Sequence, residues 1–111
     1  LELAVTANNL AAIYQRLGES KQAEGYFQWA LNLCSHCKSS LSEADQLADI
    51  LNNFALFYEK QGELDKARET INKALLIESE HRGRAFSVDR ARSLLVLASI
   101  ERKLLEYQRA E

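Results

Sequence analysis

The phrase NNLAAIYQRLGE, beginning at Asn8, returns as NNFALFYEKQGE at Asn52, 44 residues later. The two share the Asn-Asn head, an alanine, the tyrosine and the closing Gly-Glu. Recurrence at a period of about 20–50 residues constrains the fold more than any single motif, because such periods belong to architectures that stack one supersecondary unit on the next. The period extends beyond the phrase: Ala23 returns as Ala67 and Ala30 as Ala74. A degraded third copy follows 43 residues further on, with Leu97-Ala98 answering Phe54-Ala55 and Ala110 answering Ala67. In that copy Glu101 stands where tyrosine stood, and Leu105 where glycine stood.

The repeated unit is helical. The 111 residues contain no proline and only four glycines, so few breakers interrupt long helices. Leu10, Ile13, Tyr14 and Leu17 follow the i, i+3, i+4, i+7 spacing of an apolar helix stripe, and Phe54, Phe57 and Tyr58 repeat it. Ala23, Tyr26, Phe27, Ala30 and Leu31 form a second stripe, echoed by Ala67, Ile71, Ala74 and Leu75. Gly18 and Gly62 each fall between two stripes, where glycine closes a helix in the left-handed conformation at little steric cost. Ser39 and Ser40 mark a further break, Ser42 with Asp45 forms an acidic variant of a capping box, and Gly83 follows a basic helix end at His81 and Arg82. The spacing predicts five helices over roughly 2–17, 20–38, 43–61, 64–82 and 86–104, with 105–111 opening a sixth.

With these residues in order, the chain resembles the tetratricopeptide repeat family. That pattern places a small apolar pair and an aromatic in helix A, a glycine at the turn, and alanines flanking a bulky residue in helix B. Here the positions are filled by Leu10-Ala11, Tyr14, Gly18, Ala23, Phe27 and Ala30, then by Phe54-Ala55, Tyr58, Gly62, Ala67, Ile71 and Ala74. Ala7 and Leu51 replace the family's early tryptophan, and Ser35 and Ser79 its late proline. The usual period is about 34 residues. Ten extra residues split between two helices would lengthen each by about 7 Å at 1.5 Å per residue. In repeat length and in the Asn-Asn-Leu-Ala phrase the chain is similar to the long repeats of kinesin light chains and bacterial peptide-sensing regulators. The resemblance implies an all-α, right-handed α-solenoid of stacked antiparallel hairpins, divided into repeats at 1–41 and 42–84 and a partial repeat at 85–111. One hairpin cannot bury its own apolar face, so hairpins must stack. Two and a half repeats are marginal for stability, and self-association through open ends is expected.

Charge and motifs narrow the function. Fourteen basic and 16 acidic side chains give a formal charge of −2, which supports neither nucleic-acid binding nor a polybasic membrane surface. No run approaches the roughly 20 apolar residues of a membrane-spanning helix. A chain that opens on Leu1 and has no methionine reads as part of a longer protein, and two cysteines read as a cytoplasmic setting rather than a disulfide framework. No phosphate loop, nucleophile elbow or catalytic constellation is visible, so no enzyme activity and no cofactor are expected. Cys34-Ser35-His36-Cys37 has CxxC spacing, open to a redox or zinc reading, with a partly buried Cys34 and an incidental Cys37 as the plainer one. Trp29, on the outer side of helix B where the second repeat has Lys73, is a candidate contact with another domain or chain, or else is packed by the lengthened helices.

In tetratricopeptide arrays the A helices line a concave groove. Carrying that register over gives Asn8, Ala12 and Gln15 from the first helix, Asn52, Asn53, Leu56 and Glu59 from the second, and Arg92, Leu95 and Ser99 from the third. Val5, Arg16, Asp49, Lys60, Arg102 and Lys103 flank them. Asn8 and Asn52 would present evenly stepped amides, able to donate to and accept from the backbone of an extended peptide. The family's clamp for chaperone carboxylates is not reproduced. Its first-helix lysine and asparagine would be Asn8 and Ala12, its third-helix basic pair Arg92 and Val96, and only Asn53 and Arg92 fit. The resemblance thus implies a non-catalytic scaffold for a protein or peptide partner, with a peptide-sensing module coupled to an effector domain as a second reading.

Overall fold

Two glycines set the topology. Gly18 and Gly62 have φ of 81° and 82°, a region that costs any residue with a Cβ. Each closes its helix in the same way. The Gly18 N–H donates to the Gln15 carbonyl at 3.1 Å and the Glu19 N–H to the Tyr14 carbonyl at 2.9 Å, and Gly62 and Glu63 make the same bonds to Glu59 and Tyr58 at 3.1 and 2.9 Å. This is the Schellman closure, which satisfies carbonyls the helix would otherwise orphan. The next helix starts at once, with Ala23 donating to Glu19 and Ala67 to Glu63, both at 3.0 Å.

The computed structural model describes residues 2–34, 41–80 and 86–110. Among them are five α-helices and no strand: α1 (Glu2–Arg16), α2 (Ser20–Cys34), α3 (Leu41–Gln61), α4 (Leu64–Glu80) and α5 (Phe86–Ala110). Helices α1, α3 and α5 lie side by side, while α2 bridges α1 and α3 and α4 bridges α3 and α5. A smallest dimension of 19 Å is two helix diameters, so the hairpins form a two-layer stack. Ser42 falls inside the first turn of α3 rather than ahead of it. The expected breaks at Ser39, Ser40 and Gly83 lie outside the described residues. Helix α3 runs for 21 residues.

The expected sixth helix is not present as such. Helix α5 runs unbroken for 25 residues through Leu105 to Ala110. Leucine at the glycine position would pay about 1–2 kcal/mol to enter the left-handed region, so the chain stays helical there.

The core alternates small and large side chains. Ala4, Ala7, Ala11, Ala23, Ala30, Ala55, Ala67 and Ala74 are fully buried, and their size lets paired helices approach closely. Aromatic rings fill the layer between hairpins. Phe27 of α2 stacks on Phe54 at 5.0 Å and meets Phe57 at 5.6 Å, and Phe54 stacks on Tyr58 at 4.5 Å. Such pairs add to the area they bury.

The equivalent stripe in α1 behaves differently. Ile13 and Leu17 are exposed and Leu10 and Tyr14 half-buried. In α3 the stripe is buried because α2 covers it; in α1 only its Tyr14 end is packed, against Tyr26 of α2.

Candidate functional site

The ten residues assigned to the inner face come from α1, α3 and α5, and five of them, Asn8, Asn53, Arg92, Glu59 and Ser99, bond to another of the ten. Asn8 Nδ2 donates to Asp49 Oδ2 at 3.3 Å, and Asn53 Nδ2 donates to Asn8 Oδ1 at 3.2 Å. Arg92 then joins α5 to the same group, donating to Asn53 Oδ1 at 3.0 Å and pairing with Asp49 at 3.3 Å. Ser93 Oγ donates to Asn52 Oδ1 at 3.0 Å. About two turns further along, Glu59 takes a 2.5 Å bond from Ser99 Oγ and a 3.0 Å ion pair from Lys103.

Asn8 and Asn52 are therefore not open rungs. They are 4% and 2% exposed, and their amides join one A helix to the next. Burial explains the arrangement, since an amide withdrawn from water must find partners inside. The two joints obey one rule: Asn8 bonds residue 49 and Asn52 bonds residue 93, each 41 positions on. Glu59 is likewise buried, its carboxylate held by Lys103 and Ser99, which a desolvated charge requires. Ser93 escaped the sequence reading. Its signal was the period itself, which carries Asp49, the partner of Asn8, to the neighbourhood of Ser93.

Once these pairings are made, an open groove remains between α1 and α3. Ala12, Gln15, Arg16, Asn53, Leu56 and Lys60 line about 210 Å³ of space. Arg16 and Lys60 occupy equivalent positions at the C-terminal ends of successive A helices, and both are exposed. Ala12 and Leu56 supply apolar surface and Gln15 an amide, while the Asn53 amide at the groove wall is bonded to Asn8 and Arg92.

Leu95 departs from the rest. It is 72% exposed and stands at the position where α1 and α3 carry Asn8 and Asn52, the side chains that reach the next A helix. It therefore lies on the far side of α5 from α3 rather than on the shared face. Trp29 is 44% exposed beside Tyr26, at 6.2 Å between ring centroids, and Tyr26 stacks on Tyr14 at 5.3 Å.

Away from the groove, Tyr58 donates to Glu24 Oε2 at 3.4 Å. Burial, then the Glu24 charge and this bond, push its phenol up to about 12. Cys34 is buried, while Cys37 and His36 lie outside the described residues. Among those described, no group of three or more His, Cys, Asp and Glu is placed to hold a metal ion. Nor is any helix among them long and apolar enough to cross a membrane.

Two family models described as tetratricopeptide repeat match the chain, one over residues 3–35 and the other over residues 48–81. The chain belongs to the tetratricopeptide repeat family. Repeats of this family mediate protein–protein interactions and are typically non-catalytic scaffolds. No curated protein and no solved structure matches the chain. The matched spans hold both Schellman turns, helices α2 and α4, and most of α1 and α3.

Proposed function

We propose that the chain is a non-catalytic binding module whose A-helix face receives a segment of a protein partner. The observation that carries this reading is the α1–α3 groove, the part of that face not consumed by bonds between helices. Its chemistry suits a short extended peptide with a small apolar side chain against Ala12 and Leu56 and an acidic group near Arg16 and Lys60. Gln15 adds an amide that can pair with peptide backbone. The two cations are exposed, so their attraction to an acidic peptide weakens with salt.

A peptide array that varies acidic and apolar positions tests the reading, followed by titration of the best ligand into Arg16→Ala/Lys60→Ala and Leu56→Glu variants. Each variant is expected to weaken binding at least about tenfold with helicity unchanged. Undiminished binding to both variants rejects the groove assignment.

A further inference from the structure

The A helices repeat one another, so the groove between α1 and α3 has a counterpart one step on, between α3 and α5. Register carries Gln15 to Glu59. It carries Ala12 to Leu56 and then to Ser99, and Arg16 to Lys60 and then to Lys103, at intervals of 44 and 43 residues. The first step therefore sets Gln15 of α1 across from Leu56 and Lys60 of α3. The second sets Glu59 of α3 across from Ser99 and Lys103 of α5.

The second step is filled by its own side chains. Glu59 Oε2 accepts from Ser99 Oγ and pairs with Lys103 Nζ at 3.0 Å. The carboxylate is buried, and the lysine, although partly exposed, is turned onto it. The first step is built alike but carries a neutral amide where the second carries the acid. Gln15 and glutamate are nearly the same size, yet no hydrogen bond joins the Gln15 side chain to Lys60, and among the described residues Lys60 has no acidic partner. About 210 Å³ stays open between them. One oxygen exchanged for one nitrogen, at equivalent positions 15 and 59, thus separates an open step from a closed one.

Glu59 also shows what the open step fits. It brings a carboxylate on a short aliphatic stem to the lysine at the end of the next A helix, and the charge-assisted bonds it makes there are the strong kind. In the first step Lys60 stands in the place of Lys103, with Leu56 in the place of Ser99 offering apolar surface to a stem. Arg16 stands on the Gln15 side of the space, as Lys60 does on the Glu59 side of the next, and adds attraction without a direct bond.

We infer that Glu59 is a built-in ligand: its carboxylate occupies in the α3–α5 step the seat that one Asp or Glu side chain of the partner takes beside Lys60 in the α1–α3 step. The inference rests on the groove reading proposed above and narrows it. The partner supplies a single acid, to Lys60, rather than a run of acids that follows the A helices, because Lys103 is already paired. Position 15 or 59 sets access to its step: the amide leaves it open and the carboxylate closes it.

Two peptides probe this by titration calorimetry at low salt. One carries a single Glu in the best apolar frame from the array. The other carries a second Glu three residues away, since packed helices lie about 8–10 Å apart and an extended chain spans about 3.3–3.6 Å per residue. In the parent chain the second Glu is expected to change Kd less than about twofold, and in Glu59→Gln, where Lys103 is released, to tighten it at least about fivefold. Gln15→Glu is expected to weaken the single-Glu peptide at least about tenfold. A measurement without ligand accompanies these: a double-mutant cycle of Gln15→Glu with Lys60→Met in urea, with a coupling of at least about twofold in the folding constant expected. Coupling absent from the cycle overturns the inference, because any loss of binding in Gln15→Glu would then be simple repulsion. A second Glu that tightens binding to the parent overturns it too, as does a folded Glu59→Gln variant that gains nothing from that Glu. Should Glu59→Gln lose helicity, Gln15→Glu and its cycle decide. Binding that Lys60→Ala weakens and Gln15→Glu does not leaves the groove reading standing and removes the built-in ligand; a parent that binds neither peptide rejects the groove reading itself.

Discussion

Replacing Asn52 with alanine separates a joint between hairpins from a contact reserved for a ligand. Asn52 is 2% exposed and accepts a 3.0 Å hydrogen bond from Ser93 Oγ. Losing a buried hydrogen bond of this kind removes about 0.5–1.5 kcal/mol. The space left by the amide adds a packing loss, so the sum is about 1–3 kcal/mol. Asn9, the other half of the Asn-Asn pair in the first repeat, is exposed, and Asn9→Ala should stay within about 0.5 kcal/mol of the parent. Urea unfolding followed by circular dichroism measures both. With a slope of about 1–3 kcal/mol per molar, the midpoint of Asn52→Ala should fall by roughly 1 M while its slope is unchanged. A double-mutant cycle with Ser93→Ala then isolates the bond, with a coupling of about 0.5–1.5 kcal/mol expected. An unchanged midpoint together with a coupling near zero would refute the structural role and return Asn52 to the list of ligand contacts.

Three further outcomes follow from the same geometry. Gly62→Ala should cost about 1–2 kcal/mol, because φ is 82° there, whereas Gly25→Ala, in mid-helix with nothing within 4 Å of the added methyl, should gain up to about 1 kcal/mol; thermal melts of the two variants should move in opposite directions. Tyr58, raised from 10.0 to about 12, holds its proton more tightly folded than unfolded. Its contribution is therefore whole below pH 10 and declines as pH rises toward 12, by at most about 2 kcal/mol, and Tyr58→Phe should flatten that part of a stability-versus-pH curve. Lys103→Met leaves the buried Glu59 carboxylate with the Ser99 hydroxyl and should cost on the order of 1–3 kcal/mol, less than a fully buried pair because Lys103 is partly solvated; adding Glu59→Gln should recover much of the loss in the same urea assay.

The parts of the fold legible in the sequence were those fixed by local chemistry. Gly18 and Gly62 announced their turns, because only glycine enters that conformation cheaply, and the alanine and aromatic spacing gave the hairpins. The expected sixth helix overlooked a signal that was present: with no glycine or proline between Phe86 and Ala110, nothing stops α5 at Leu105. Asn8 and Asn52 were misplaced for a different reason. An asparagine in a helix stripe reads as a surface residue, and the groups that make its burial tolerable stand 41 positions away, beyond the reach of a local pattern. Ile13 and Leu17 fail in the opposite sense, since an apolar stripe states that a face wants cover but not whether a helix supplies it. Of the residues expected on the inner face, Ala12, Gln15 and Leu56 border the space between α1 and α3, whereas Asn53 bonds Asn8 and Arg92, and Glu59 and Ser99 bond each other.

The 41-residue joints also bear on how the array comes apart. Each ties a hairpin to its neighbour, so among the described residues helix α3 is anchored on both flanks while α1 and α5 are anchored on one. Opening should proceed from the outer helices inward, as in a one-dimensional chain of coupled units. Amide protons of α3 should accordingly exchange with solvent last, and weakening the Asn8 joint should speed exchange in α1 well before it is felt in α5.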